Sequence, residues 1–529
     1  MVFWRRPTGR SDVIANQGVV ASSQPLATQA GLKMLRQGGN AVDAAIAAAA
    51  TLDVVEPFST GCGGDAFALL HQPGASEPLA FNGSGRAGSL VSLDELQNRG
   101  WNHIPKRGGG PVTVPGAMHL WEYLVEQYGE LDLDKVLAPA IHYAENGFPV
   151  SPVIAEVWNL LLPVLQNETA SEVFTIDGRA PKPGEKMSNP GLAKTFREVA
   201  KNGVTAFYSG EIAESIVKTV QEHGGFLTKE DLAAHETDET SPISTSYRGV
   251  DIFEHAPNGQ GFAALEMLNM MEEFDISDLG HLSADRYHIM IEAKKLAYAD
   301  LYQHNADPDF YQVPLAQLLS KEYAPERSKR INLDSAMEVP DSGVDLGTDT
   351  IYLATADQEG RAVSFINSLY MGFGSGLVVP EWGIKLQNRG RLFSLDPDHP
   401  NCYEPGKRPF HTIIPGAAYM DDDLLGVFGI MGGPHQAQAH AQFVSNVLDY
   451  EISPQEALDH PRFHHDQDSN TVAFENGIPP QAQGELRKRG HEIAHETMAG
   501  FGGGQAIFRL ENAWIAGSDF RKDGQAAGF

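Results

Sequence analysis

The sequence TIYLATADQEGRAVSFINS, residues 350–368, predicts a β-hairpin. Apolar and polar residues alternate over residues 350–356 and again over 361–368, as they do in strands that bury one face. Residues 357–360, DQEG, separate the two runs and have the composition of a turn. The hairpin therefore predicts antiparallel pairing at this point of the chain.

A polar connection precedes the hairpin. Residues 334–347 are rich in acidic side chains and include Pro340, Gly343 and Gly347. Such a composition predicts an exposed segment without regular structure. It is also the best candidate in this sequence for a break in the chain.

Helical patterns lie on both sides of the hairpin, at residues 29–36, 41–52, 120–128, 136–146, 190–202, 211–224, 284–302 and 437–448. Asn40 is expected to cap the second of them, its Ala-rich part is expected to be buried, and 284–302 is expected to be amphipathic. Further strands are expected at residues 383–387, 424–431, 505–510 and 514–516, the last two as a hairpin around Glu511-Asn512. Because strict βαβ alternation is missing, the pattern predicts antiparallel sheets covered by helices.

The composition limits the classes of partner. The 529-residue chain carries a formal net charge of −30, which repels nucleic acid and anionic membranes, so we expect neither as a partner. Residues 1–16 lack the apolar run of a secretory signal, and no run approaches the about 18 apolar residues of a membrane helix. Two cysteines, Cys62 and Cys402, form no CxxC pair, which favours a reducing compartment and a cytoplasmic protein.

Several common catalytic motifs are missing from the sequence. It has no G-x-S-x-G elbow and no GxxxxGK[ST] phosphate loop, and Gly61-Cys62-Gly63-Gly64 lacks the spacing of a dinucleotide loop. His464-His465-Asp466 is the densest group of metal-ligand residue types, but its spacing matches no common site and favours a solvated loop. We therefore predict no metal and no cofactor.

The hairpin begins at Asp349-Thr350-Ile351-Tyr352. Thr350 can be interpreted as a catalytic nucleophile as well as a strand residue. A threonine hydroxyl becomes a useful nucleophile when its own α-amine acts as the base, which requires the threonine to be N-terminal. The α-amine, with a pKa near 7.7–8.0, accepts a proton at neutral pH. This chemistry needs cleavage between Asp349 and Thr350. Judged on local residues alone, Thr350 is an ordinary strand residue.

A series of short motifs supports the catalytic interpretation. In chain order they are GGNAVDAA at 38–45, GCGGDAF at 61–67, VTVPGA at 112–117, FYSG at 207–210, GGFLT at 224–228, PNGQG at 257–261, the hairpin region 350–376, PGKRP at 405–409, GG at 432–433 and DFRKDG at 519–524. In this order they resemble the gamma-glutamyltranspeptidase family, from about residue 18 to the C-terminus.

The resemblance implies a fold, a processing step and a mechanism. The fold is α+β, a four-layer αββα sandwich of the N-terminal-nucleophile hydrolase type, in a single domain of residues 1–529. A precursor cuts itself between Asp349 and Thr350 into a large subunit, 1–349, and a small subunit, 350–529, that stay associated. Thr350 then attacks an amide carbonyl, Ser368 contacts the nucleophile, and the backbone N–H groups of Gly432 and Gly433 stabilise the oxyanion.

The substrate pocket departs from the transpeptidases. The family's carboxylate-binding arginine aligns near Ser84, two residues before Arg86, and its ammonium-binding aspartate aligns with Leu392. The substrate-binding residues that the resemblance implies here are Arg86, Tyr370, Asn388, Arg389, His411 and Thr412. Arginine binds carboxylate in a bidentate manner. The set predicts hydrolysis of a small acidic amide, either oxamate-like or of the gamma-glutamyl or glutaryl type, as in the branch with oxamate amidohydrolase and cephalosporin-acylase-like members.

Two other functions stay open at this point. One is a gamma-glutamyl transferase or glutathione hydrolase proper, against which Leu392 argues because leucine cannot hold an ammonium group. The other is a catalytically inactive family member with a binding role. The expected partners are a small acidic amide and the chain's own cleaved subunits, and a homo-oligomer of these heterodimers is left open. The exact acyl group, the choice between hydrolysis and transfer, and a bond between the two cysteines are also left open.

Overall fold

The computed structural model describes residues 9–338, 349–494 and 498–529. The strands are β1 Val13–Ala15, β2 Gly18–Ser22, β3 Asp65–His71, β4 Leu79–Gly83, β5 Phe148–Pro149, β6 Lys186–Met187, β7 Asp238–Thr240, β8 Ile243–Tyr247, β9 Val250–Glu254, β10 Asp349–Asp357, β11 Ala362–Tyr370, β12 Gly416–Met420, β13 Asp423–Met431, β14 Phe463–Asp466, β15 Thr471–Phe474, β16 Glu492–Ala494, β17 Gly503–Leu510, β18 Ala513–Ser518 and β19 Gln525–Gly528.

The helices cover both faces of the strand layers. They are α1 Pro25–Arg36, α2 Ala41–Val55, α3 Leu93–Asn98, α4 Ala117–Tyr128, α5 Leu133–Asn146, α6 Pro152–Leu161, α7 Glu168–Phe174, α8 Pro190–Asn202, α9 Thr205–Ser209, α10 Glu211–Glu222, α11 Lys229–Ala233, α12 Gly261–Glu272, α13 Ala284–His304, α14 Leu315–Leu318, α15 Tyr323–Ser328, α16 His435–Tyr450, α17 Pro454–Asp459 and α18 Pro480–Lys488. Short 3₁₀ turns occur at Leu162–Val164, Ile276–Asp278, Arg389–Leu392 and Met498–Phe501.

Two seven-stranded antiparallel sheets form the centre of the fold. The strand order is β19-β2-β10-β11-β3-β4-β7 in the first sheet, which contains Thr350, and β1-β18-β17-β13-β12-β9-β8 in the second sheet. The facing sides share one apolar core, to which Phe67, Tyr352, Ile366, Val427 and Ile507 contribute. Apolar side chains on alternate positions of each strand make this packing favourable, because each sheet buries one face against the other.

A helical layer covers the outer face of each sheet. The all-buried helix α2 packs on β10 and β11, and α12 and α16 pack on the second sheet. The fold is therefore the αββα sandwich that the resemblance implied. Asn40 caps α2 as predicted: its Oδ1 accepts from Val42 N, and Asp43 Oδ2 accepts from Asn40 N.

Most of the predicted elements are confirmed, with three corrections. The hairpin of residues 350–368 is β10 and β11, and the hairpin around Glu511-Asn512 is β17 and β18. Residues 383–387 are not a strand but make only an isolated bridge through Lys385. Helix α13 is buried on nearly every side rather than amphipathic, because α12 and α18 both pack against it.

The third correction concerns the histidine-rich segment. His464-His465-Asp466 forms strand β14 instead of a solvated loop, and His465 is buried against Lys294. Residues 339–347 of the predicted connection lie outside the described residues. Among the helices that are described, none has the length and apolar character needed to cross a membrane. Cys62 and Cys402 are both buried free thiols.

Candidate active site

Thr350 lies on β10 at an irregular point of the sheet. Asp349 pairs with Tyr370 and Ile351 pairs with Asn367, so the register between β10 and β11 shifts at Thr350. Such bulges redirect a side chain from the regular alternation and are common beside active sites. The Thr350 side chain is buried, and its Oγ1 lies 3.1 Å from Ser368 Oγ.

The hydrogen bonds around Ser368 decide the direction of this contact. Tyr370 N donates to Ser368 Oγ at 2.8 Å, and Arg389 Nη2 donates to the same oxygen at 3.0 Å. A hydroxyl oxygen accepts two hydrogen bonds, so Ser368 has no lone pair left for Thr350. In the contact between them Ser368 is therefore the donor, and Thr350 Oγ1 is the acceptor. A donor in this position favours negative charge on the threonine oxygen.

Arg389 is buried at the centre of the site. Its Nη1 donates to Thr412 Oγ1 at 2.8 Å, and its guanidinium lies 4.6 Å from the ring centroid of Tyr370. Burial lowers the pKa of Arg389 to about 10, against the effects of Asp65 and Tyr370. Arg389 thus stays charged at neutral pH, and its Nε has no hydrogen-bond partner among the described residues.

Tyr370 holds a strained backbone conformation close to Thr350 and Ser368. Its φ is +79°, in the left-handed region that bulky residues rarely adopt. This conformation lets the Tyr370 N–H reach Ser368 Oγ while the ring packs under Arg389. Backbone strain of this kind costs about 1–3 kcal/mol and concentrates at functional sites.

Asp65, which sequence reasoning did not single out, lies directly opposite Ser368 across β3 and β11. Its Oδ1 accepts from Gly85 N and from Gln387 Nε2, both at 2.9 Å, and its Oδ2 lies 3.0 Å from His411 Nε2. Burial raises the pKa of Asp65 to about 7, and the Arg389 charge opposes the rise. Burial also lowers the pKa of His411 well below its ordinary value.

The GCGG motif at residues 61–64 explains how Asp65 comes so close. A Cβ at Gly64 would lie 2.3 Å from the Ser368 carbonyl oxygen, so only glycine fits there. The motif therefore packs the start of β3 against β11. The sequence did carry a signal for Asp65, because an aspartate that opens an apolar strand needs a buried partner.

The Gly432-Gly433 turn joins β13 to α16. Gly432 has φ +144° and Gly433 has φ +58°, and the Gly433 carbonyl accepts from Gln260 Nε2 at 2.8 Å. The same nitrogen donates to the carbonyl of Thr412. Gln260 therefore ties the glycine turn to the segment that contacts Arg389.

The comparisons with known proteins agree over nearly the whole chain. The family model described as Gamma-glutamyltranspeptidase matches residues 27–529. The chain belongs to the gamma-glutamyltranspeptidase family.

Three relatives place it more closely within this family. The chain is 37% identical to the glutathione hydrolase-like YwrD proenzyme of Bacillus subtilis, over 98% of this chain and 99% of the relative. It is 35% identical to the oxamate amidohydrolase proenzyme of Klebsiella pneumoniae, over 98% of this chain and 100% of the relative. A crystal structure of cephalosporin acylase from Bacillus halodurans matches with a TM-score of 0.93 and 43% identity, over 99% and 98%. The chain is accordingly an enzyme, an amidohydrolase of the N-terminal-nucleophile type.

Most of the site residues that the family resemblance implied lie close together in the structure. Thr350, Ser368, Tyr370, Arg389 and Thr412 form a continuous set of contacts, and His411 joins them through Asp65. Asn388 supports the same segment, because its Oδ1 accepts from Met371 N and its Nδ2 donates to Lys106 O.

Arg86 is directed elsewhere. Its guanidinium pairs with Asp307 at 3.3 Å and Asp309 at 2.7 Å, and its side chain is 34% exposed. Because these carboxylates already hold it, Arg86 is a weaker candidate for a substrate carboxylate than Arg389. Its role in binding stays a prediction.

The structure contains a cavity of about 760 Å³ whose lining includes chain neighbours of the site residues but not the site residues themselves. Leu392 and Phe410, close in the chain to Arg389 and His411, line it together with Tyr302, Arg391 and His399. Leu392 is buried and belongs to the apolar cluster around α12, α13 and α16. The size suits a drug-sized ligand.

One cluster of metal-ligand residue types lies away from this site. His288, Glu292 and His491 are buried with ligand atoms within 4.8 Å of one another. Two contacts already engage members of the cluster: His288 Nδ1 lies 2.8 Å from His491 Nε2, and Lys295 Nζ lies 2.9 Å from Glu292 Oε1. The lysine charge next to Glu292 disfavours a cation there.

Proposed function

We propose that this enzyme cleaves itself between Asp349 and Thr350 and then hydrolyses the amide bond of a small acidic amide through a threonyl ester. The observation that carries the proposal is the hydrogen-bonded series from Thr350 to Ser368 and Arg389. It joins the candidate nucleophile to a buried positive charge suited to a carboxylate-bearing substrate. The proenzyme names of the relatives support the processing step.

Processing follows from the same atoms as catalysis. Thr350 Oγ attacks the carbonyl carbon of Asp349, the peptide C–N bond breaks, and the Thr350 nitrogen leaves as an amine. Water then hydrolyses the resulting ester, leaving a carboxylate on Asp349. Ser368 stabilises the attacking oxygen by its donated hydrogen bond, which is worth more in a buried site than in water.

In the hydrolytic reaction the freed α-amine of Thr350 accepts the hydroxyl proton. Thr350 Oγ attacks the amide carbonyl of the substrate, the proton passes to the departing nitrogen, and the acyl group remains as an ester. Water completes the cycle and releases the acid. The N–H groups of the Gly432-Gly433 turn are our candidates for stabilising the oxyanion in both steps.

Arg389 is our candidate for the acidic end of the substrate. Its Nε is buried without a partner among the described residues, and a buried unpaired donor is costly until a ligand satisfies it. A carboxylate-bearing acyl group supplies the acceptor. The cavity lined by Leu392 and Phe410 then takes the amine part of the substrate.

Glutathione hydrolysis is the second candidate, favoured by the name of the relative from Bacillus subtilis. It requires a group that holds the glutamyl ammonium, and Leu392 cannot supply one. Comparing hydrolysis of oxamate, glutaryl anilide and gamma-glutamyl anilide separates the two. We expect the compounds without an ammonium group to have the higher kcat/KM.

Intact mass spectrometry of the purified protein tests the proposal first. We expect a fragment that begins at Thr350, and a single uncut chain for Thr350→Ala. Thr355→Ala is the matched control, because Thr355 is a buried threonine on the same strand that donates to Ala41 O. It should still be cut. A wild-type chain that stays intact at neutral pH would favour the inactive, binding role instead.

A further inference from the structure

The buried site described above contains balanced charges before any substrate binds. Above about pH 7, Arg389 contributes one positive charge and Asp65 one negative charge, while His411, with its pKa lowered by burial and by Arg389, is neutral. All three side chains are fully buried. A substrate that brings one carboxylate to Arg389 therefore adds a net negative charge to a site from which water is excluded. Such a charge is unfavourable unless something neutralises it.

Asp65 and His411 are the groups that can neutralise it. Asp65 Oδ2 and His411 Nε2 are 3.0 Å apart, so one proton can reside on either atom without any movement of the backbone. His411 Nδ1 has no hydrogen-bond partner among the described residues. The pair lies directly next to the nucleophile, since Asp65 faces Ser368 across the sheet.

This inference rests on the proposed function. We propose that Asp65 and His411 form a buried proton-accepting pair. An anionic acyl group then binds at Arg389 only with uptake of one proton. Asp65 is then a residue that determines specificity by charge. An acyl group that carries its own ammonium needs no additional proton, whereas a simple carboxylate does.

The direction of the pH dependence follows from the pair. Because burial raises the pKa of Asp65 to about 7, the carboxyl is protonated below that pH and ionised above it. An anion binds the protonated form better, so its affinity is constant below about pH 7 and falls about tenfold per pH unit above it.

Other titratable groups surround the pair and need to be distinguished from it. Arg389 and Tyr370 face it from β11 and the 3₁₀ turn, His255 lies next to His411 after β9, and Tyr208 and Cys62 lie on the side of α9 and the glycine motif. Burial raises the pKa of Tyr208 and Cys62 well above their ordinary values and lowers that of His255 to about 4, so none titrates near pH 7. The α-amine of a processed Thr350 does titrate there.

Calorimetry with two non-reactive probes tests the proposal. Pentanoate is a simple carboxylate, and norvaline has the same skeleton with an ammonium group. Binding at pH 8 in two buffers of different ionisation enthalpy gives the number of protons taken up. We expect roughly one proton for pentanoate and none for norvaline with the wild-type protein.

Two variants assign the proton. Asp65→Asn should bind pentanoate without proton uptake and about tenfold more tightly than wild type at pH 8, a gain that simple loss of structure would not produce. Glu266→Gln is the matched control, because Glu266 is a fully buried carboxyl on α12 whose pKa is also raised well above its ordinary value by burial. It should keep the wild-type proton uptake.

The possible outcomes separate this proposal from the proposed function. Proton uptake that persists in Asp65→Asn assigns the proton to Thr350 and overturns the role of Asp65. Absence of pentanoate binding or of proton uptake in the wild type also overturns it. Should Asp65→Asn not fold, an infrared difference spectrum of the wild type on adding pentanoate decides: a new protonated-carboxyl band supports proton uptake by the pair at Asp65, a new imidazolium band supports uptake at His411, and the absence of both contradicts the pair. A protein that binds pentanoate with proton uptake but hydrolyses no amide refutes only the proposed function.

Discussion

The nucleophile hairpin and the wall of the substrate site are built differently. The hairpin, β10 and β11, is regular sheet except for the register shift at Thr350. The wall, residues 387–392 and 407–412, makes only short turns and isolated bridges and is held by side-chain hydrogen bonds. The candidate nucleophile and its serine partner thus lie on regular sheet, whereas the candidate substrate contacts lie on irregular chain. A family can alter the second without disturbing the first.

The largest expected effect is at Ser368 on the hairpin. Ser368→Ala removes the donor to Thr350 Oγ1, and we expect self-cleavage to slow by about 100- to 1,000-fold. Ser364→Ala is the control, since Ser364 is a buried serine on the same strand that contacts Tyr352 instead. Time courses of fragment formation by gel and mass spectrometry measure both rates. Equal rates for the two variants would contradict the role of Ser368.

A smaller effect is expected in the wall at Arg389. Arg389→Lys keeps the charge but cannot span Ser368 and Thr412 together, so KM for a glutaryl amide should rise about 10- to 100-fold. Arg86→Lys should raise it by less than about tenfold, because Asp307 and Asp309 hold Arg86 away. Steady-state kinetics on the processed enzyme measures both. A larger rise in KM for Arg86→Lys than for Arg389→Lys would instead favour Arg86 as the residue that binds the substrate carboxylate.

The smallest expected effect comes from the helix beneath the hairpin. Asn40→Ala removes the cap of α2 and should lower the free energy of unfolding by about 1 kcal/mol. Because α2 supports β10 from the face opposite the second sheet, kcat should stay within about twofold of wild type. Denaturant unfolding and steady-state kinetics test this, with Asn40→Ser as the conservative variant. A large fall in kcat would mean that the hairpin geometry depends on the helix start.

The elements that the sequence predicted well are those with local causes. Residues 350–368 alternate in polarity, and Asn40 stands before an apolar Ala-rich run, so periodicity and capping chemistry were sufficient. Residues 383–387 have strand-like composition, yet they run beside Gly63 and Asp53 as irregular chain, held by Lys385. Helix α13 has apolar and charged residues on all faces, and only its neighbours α12 and α18 made it a buried helix.

The candidate site divides in the same way. Motif order indicated Thr350, Ser368, Arg389, His411 and Thr412, and these residues do lie together. Asp65 was missed because its local signal, an aspartate that opens an apolar strand, does not identify its partners, Ser368 and His411, which are more than 300 residues away in sequence. Arg86 was selected because it lies two residues after the position aligned with the family's arginine. The sequence did not reveal that Asp307 and Asp309 pair with it.

The sequence by itself determined the family, the antiparallel hairpin and the identity of the candidate nucleophile, because these rest on local periodicity and on the order of motifs. Only the tertiary structure decided the direction of the hydrogen bond to Thr350, the contact between Asp65 and His411, and the pairing of Arg86 with Asp307 and Asp309. The physical reason is that hydrogen-bond direction and pKa depend on burial and on neighbours brought together from distant parts of the chain.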